Sequence, residues 1–194
     1  MEMPRTVRNS SWAFAAAAGI AAASALVVVL GQAHHGPALD RYLDFNAGDL
    51  AAEQFATDVG EILTVTLILA LVTVVAGGVL AFVVRRPVAW ARTIAWSTAL
   101  VLALLVGTAL LAGVDPVGAT PGPDAEPAAR LTYDLVPGWY PSVNAVVGLG
   151  LLIALGAAGF FVLRSSAADF YRAASKVEDP RWSSFVAERL DPDK

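Results

Sequence analysis

Residues 62–114 read ILTVTLILALVTVVAGGVLAFVVRRPVAWARTIAWSTALVLALLVGTALLAGV. Two apolar runs, Ile62 to Val84 and Thr93 to Val114, flank a short stretch that holds Arg85, Arg86 and Arg92. A hydrocarbon core about 30 Å thick needs about 20 apolar residues rising 1.5 Å each. Each run meets that length, and each must be helical because lipid offers a free backbone amide no partner. Trp12 to Leu30 and Val143 to Leu163 are two further runs of the same kind, and no ionisable residue interrupts any of the four.

The charges between the runs give a direction. Arg5 and Arg8 precede the first, three arginines separate the second from the third, and Arg164, Arg172, Lys176, Arg181, Arg189 and Lys194 follow the fourth. Only Arg41 and Arg130 lie on the opposite side, so the positive-inside rule places both termini in the cytoplasm. The expectation is an all-α protein, an antiparallel bundle of four transmembrane helices with an amphipathic cytoplasmic C-terminal helix, in a bacterial plasma membrane. Its segments are a cytoplasmic N-terminus (1–11), spans at 12–30, 62–84, 93–114 and 143–163, outer segments at 31–61 and 115–142, a basic inner loop (85–92) and a cytoplasmic tail (164–194).

Composition agrees with a lipid solvent. Among 194 residues 57% are hydrophobic and 15% charged, with a mean hydropathy of +0.62, well to the apolar side of globular usage. Cysteine is absent, which excludes disulfides, thiolate metal sites and thiol nucleophiles, and with them the quinone-linked disulfide-forming enzymes that also have four spans. The excess of arginine over lysine and the Ala, Val and Gly content suggest a high-GC bacterial genome.

The outer segments are acidic. Asp40, Asp44, Asp49, Glu53, Asp58 and Glu61 occupy the first, and Asp115, Asp124, Glu126 and Asp134 the second. Such a face is the solvated complement of the inner arginines, or a surface that collects cations or docks a partner. In the first segment Gly36-Pro37 opens a turn of helix carrying Ala38, Leu39, Tyr42 and Leu43, and Asp49 is a good N-cap for a helix running through Phe55 and Val59 into the second span. The second segment begins as a Pro/Gly-rich linker (Pro116 to Ala129) and ends in YDLVPGWYP (Tyr133 to Pro141). Trp139 and Tyr140 read there as an aromatic interface belt. Beyond the fourth span, Phe170 and Tyr171 alternate with Arg172 and Lys176, and Trp182 and Phe185 follow Asp179-Pro180 at near-helical spacing, a pattern suited to a membrane surface.

Helices in lipid associate through close packing of small residues. Thr66, Ala70, Thr73 and Gly77 form one such seam on the second span; Ala145, Gly148, Leu152, Gly156 and Gly159 form another on the fourth.

Candidate chemistry is sparse. His34 and His35 are the two histidines of the chain, adjacent where the first apolar run stops; with Asp40 and Asp44 they could form a mixed imidazole–carboxylate metal site. Gly31-Gln32-Ala33 loosely fits a small-x-small cleavage site that would free His34, but the run before it exceeds the roughly 7 to 15 residues of a signal h-region, so the plain reading is that the pair marks the exit from the first span. Glu61, at the lip of the second span, is the candidate for a transport role. Four-span multidrug exchangers need a buried acidic residue in a span and four-helix membrane cytochromes need histidines there; this chain has neither. No phosphate loop, Ser/His/Asp set or basic aromatic patch is present, so no catalytic residue, cofactor or nucleic-acid partner is expected.

RRPVAWARTIAW (Arg85 to Trp96), PGWYP (Pro137 to Pro141) and LRSSAADFYRAA (Leu163 to Ala174) together resemble uncharacterised four-span integral membrane proteins of actinobacteria, a resemblance that implies topology and no activity. The functional expectation is therefore a non-catalytic accessory or assembly subunit whose partners are the bilayer and other membrane subunits. A metal-ion or small-solute permeation module is the alternative, and an outer-face metal-binding protein a further one.

Overall fold

The computed structural model describes residues 3–113, 122 and 126–177, with backbone alone at Ala89, Ala112, Gly113 and 173–177. These residues form six helices: α1 (Arg5–Phe45), α2 (Leu50–Val83), α3 (Ala89–Gly113), α4 (Pro127–Tyr133), α5 (Tyr140–Leu163) and α6 (Ser165–Val177). α1, α2, α5 and the Trp90–Leu111 part of α3 are long and apolar enough to cross a membrane, the build of a multi-pass membrane protein.

The apolar runs are the middles of longer helices. α1 has 41 residues and α2 has 34, about 60 and 50 Å of helix, so both outreach a bilayer core. α1 does not stop at Leu30 or reopen at Gly36-Pro37: it runs unbroken through Pro37 to Phe45. Proline removes one helical hydrogen bond and crowds the preceding turn. Ala38 and Tyr42, buried against α2 beyond it, hold the helix on course. Asn46 closes α1 by donating from Nδ2 to the Tyr42 carbonyl, and Gly48 turns the chain at φ 86°, the left-handed region that glycine enters without a Cβ penalty. Asp49 then caps α2, its Oδ1 accepting from the amides of Ala51 and Ala52.

Polarity is inside out along the middle of these helices. Leu26, Val65, Ile68, Val75, Leu104, Val146 and Ile153 face outward, while Ala17, Ala21, Ala95, Ala99, Ala158 and Thr73 are buried. Water would not tolerate so large an apolar exterior, whereas in lipid small residues are what let helices approach. α1 lies between α2 and α5, α3 packs mainly on α5, and α2 touches α3 less. At Gly77 a Cβ would stand 3.1 Å from the Phe14 carbonyl oxygen and 3.2 Å from the Ala18 Cβ, so any side chain there would push α1 and α2 a few tenths of an ångström apart.

The seam assigned to the last long helix is displaced. α5 buries Tyr140, Asn144, Gly148, Leu151, Leu155, Ala158 and Val162. Gly148 belongs to that face, pressed by Leu110, and Gly159 sits near Ala99, but Gly156 faces open space. The turn of the helix carries Gly156 off the face that Leu151 and Leu155 occupy. On α2, Ala70, Thr73 and Gly77 are buried and Thr66 partly so.

Two small cores close the ends. At one, Val7, Ala91, Ala167, Phe170 and Tyr171 cluster; Tyr171 donates to the Val84 carbonyl at 2.6 Å, and Arg92 donates to the Val162 and Leu163 carbonyls that end α5. Phe170 and Tyr171 thus dock on the bundle's own end instead of lying along a lipid surface. Ser11 donates to the Ala81 carbonyl and accepts from Arg85 at 2.7 Å, latching α1 to α2. At the other end, Tyr42, Ala52, Ala56, Val59, Leu63, Leu135, Val136 and Tyr140 form a core around the α1–α2 hairpin. Tyr140 is therefore a core residue, fully buried with its ring against Gly31, and only Trp139 of the expected belt is exposed. Trp182 and Phe185 lie outside the described residues.

Candidate functional site

Both histidines sit on the continuous helix α1, one turn past its apolar run, and both reach across to the chain between α4 and α5. His34 Nε2 lies 2.8 Å from the Asp134 carbonyl oxygen, and His35 Nδ1 lies 3.0 Å from that of Leu135. A carbonyl only accepts, so each of these nitrogens carries the hydrogen. Arg41, two turns further along, donates to Asp134 Oδ2 at 3.0 Å. Leu135 and Val136 are thereby held in the hairpin core, and YDLVPGWYP is a structural strap as well as the approach to α5.

The histidine pair is not gathered with Asp40 and Asp44. Those carboxylates lie on the exposed side of α1, and among the described residues no group of three or more His, Asp or Glu side chains could hold a metal ion. His34 and His35 spend one nitrogen each on main-chain carbonyls because the helix carries both toward the strap.

His35 keeps a second nitrogen. With Nδ1 donating to Leu135, neutral His35 presents Nε2 as an acceptor, and it faces Gly60, where a Cβ would stand 3.4 Å away. The residue is 8% exposed. Gly60 leaves a groove between α1 and α2, lined also by Gln32, Thr57, Glu61, Thr64 and Val65 and about 560 Å³ in volume. Thr57 and Thr64 donate to the carbonyls four residues before them, and Gln32 turns its amide to Thr64 at 3.5 Å. The threonine oxygens, the Glu61 carboxylate and His35 Nε2 remain as acceptors, and Gln32 keeps a second N–H to donate.

Glu61 borders a second opening with Asp58, Thr66 and Ala109. Thr66 and Ala109 also line a chamber of about 30 Å³ with Ser24, Asn144 and Gly148, room for about one water. Farther along, the close approach at Gly77 shuts α1 against α2.

Spacing gave no sign of Gly60, Asp134 or Leu135, because the strap lies about 100 residues from the histidines it binds. Comparison with protein-family models, with curated proteins and with solved structures gives no match for the chain.

Proposed function

We propose that the protein is a non-catalytic accessory or assembly subunit of a larger membrane complex, an antiparallel four-helix transmembrane bundle in a bacterial plasma membrane with both termini cytoplasmic. The observation that carries this reading is the α1–α2 hairpin, which outreaches a bilayer core by about 20 Å on helices of 41 and 34 residues. Its own small core and the His34, His35 and Arg41 bonds to the strap brace it. It carries Asp40, Asp44, Asp49, Glu53 and Asp58, with Phe45 and Leu50 exposed at its tip. A rigid acidic projection with an apolar tip suits docking to a basic surface on a neighbouring subunit.

Permeation, the alternative, draws on Glu61 and the opening to Thr66. Against it stand a chamber the size of one water and the tight α1–α2 contact at Gly77 beyond it.

Purification from a mild detergent, with mass spectrometry of what accompanies the chain, tests the proposal. A stoichiometric membrane partner is expected, and the triple variant Asp40→Lys, Asp44→Lys, Glu53→Lys is expected to lose it while staying folded. Solute uptake by the purified chain in proteoliposomes, abolished by Glu61→Gln, would sink this reading in favour of transport.

A further inference from the structure

We propose that the groove beside His35 binds the hydroxyl head of a membrane-soluble molecule with an apolar tail, a function separate from the docking assigned to the hairpin. A side chain nine-tenths buried, with its free nitrogen opening onto the groove, carries the argument. His35 is 8% exposed, its Nδ1 is committed to the Leu135 carbonyl, and its Nε2 has no partner among the described residues and points at Gly60. Nε2 is reached only from the groove, and a ligand O–H can bond it there in place of water.

The surroundings select the ligand. Thr57 and Thr64 donate to their own helix, so apart from the second N–H of Gln32 the polar groups that line the groove are acceptors, and the ligand must supply the hydrogen for Nε2. A bound metal ion is disfavoured, because no group of three His, Asp or Glu side chains is available among the described residues. An organic cation would lose hydration beside the apolar wall of Leu63 and Val65, a larger cost than for a neutral hydroxyl. The volume, about 560 Å³, falls in the range of small-molecule sites. Val65 is largely exposed where the apolar run begins, so the tail of a ligand whose head reaches His35 passes directly into the bilayer. Two sources carry this chemistry, an isoprenoid quinol and a hydroxylated acyl lipid such as a diacylglycerol.

The full chain in nanodiscs, titrated by microscale thermophoresis with a short-chain quinol, its oxidised quinone and dioctanoylglycerol, provides the test. The quinol, the diacylglycerol or both are expected to saturate the protein, and which of them does identifies the source. The quinone, which has no hydrogen to donate, is expected to bind at least tenfold more weakly than the quinol. Gly60→Val fills the space before Nε2 without touching the bond to Leu135, and is expected to weaken binding at least tenfold at an unchanged Tm. Glu61→Gln, on the exposed rim, provides a second variant with an expected loss of threefold or more should the valine impair folding. Absence of saturable binding by either hydroxyl ligand, equal binding of quinol and quinone, or full affinity in the folded variants would overturn the proposal.

Discussion

Gly77 of α2 and Phe14 of α1 meet at main-chain distance: a Cβ on the glycine would lie 3.1 Å from the phenylalanine carbonyl oxygen. Gly148 faces the end of the Leu110 side chain, which must move to admit any larger residue, whereas Gly156 faces open space. Gly77→Leu and Gly148→Leu are therefore expected to lower stability in detergent by about 1 to 3 kcal/mol or more through overpacking. Gly156→Leu should leave Tm within error. Thermal unfolding of the three variants side by side checks this, and a sensitive Gly156 would mean that the packed face of α5 is wrongly identified.

Loss of His35 should outweigh loss of its neighbour. His35→Ala strands the buried Leu135 carbonyl, at a cost of about 1 to 3 kcal/mol. His34 is partly exposed and water can replace its bond to Asp134, so His34→Ala should cost less than about 1 kcal/mol. Chemical unfolding in detergent separates the two.

Tyr140 is fully buried and its hydroxyl finds no hydrogen-bond partner among the described residues. Removing an unsatisfied buried oxygen while keeping the ring relieves a desolvation cost. Tyr140→Phe is expected to match or exceed the parent's Tm; a drop of several degrees would show that the hydroxyl is engaged.

Tyr171 links stability to alkaline pH. Burial pushes its hydroxyl from 10.0 up to about 12, against a smaller opposing pull from Arg92. The unfolded chain loses this proton near pH 10 while the folded one keeps it to about 12, so the contribution is complete below pH 10 and fades as pH rises through that window. The decline should amount to roughly 2 kcal/mol. Tyr171→Phe should be less stable at pH 7 by about 1 kcal/mol, for the lost bond to Val84, yet show a shallower fall between pH 10 and 12.

Orientation is open to a direct check because the chain has no cysteine. Gln54→Cys, exposed on the hairpin, should react with an impermeant maleimide in intact cells, and Pro87→Cys, in the arginine loop, only after lysis. The opposite pattern would reverse the topology.

The apolar runs and the Asp49 cap were legible because each is decided locally, by run length and by one side chain against the next two amides. The register of α5 was not. A helix apolar on every side has no amphipathic stripe to read, and small residues at 148, 150, 156, 157, 158 and 159 offer several seams at once. Tyr140 followed a general rule for aromatics at span ends, which the fold overrides by giving its ring a place beside Gly31. The role of His35 depends on Leu135, a partner that no local spacing reveals.

Because α1 is a single rod, its two ends are mechanically joined. The pinch at Gly77 holds it near Ala18, which leaves an arm of about 40 Å to Phe45 and one of about 10 Å to Ser11. A push that moved the Phe45 end of α1 by about 4 Å against α2 would swing Ser11 by roughly 1 Å the other way. That displacement is enough to break the 2.6 and 2.7 Å bonds that Ser11 makes to Ala81 and Arg85. A load on one end of the bundle would thus arrive at the other as an unlatched arginine.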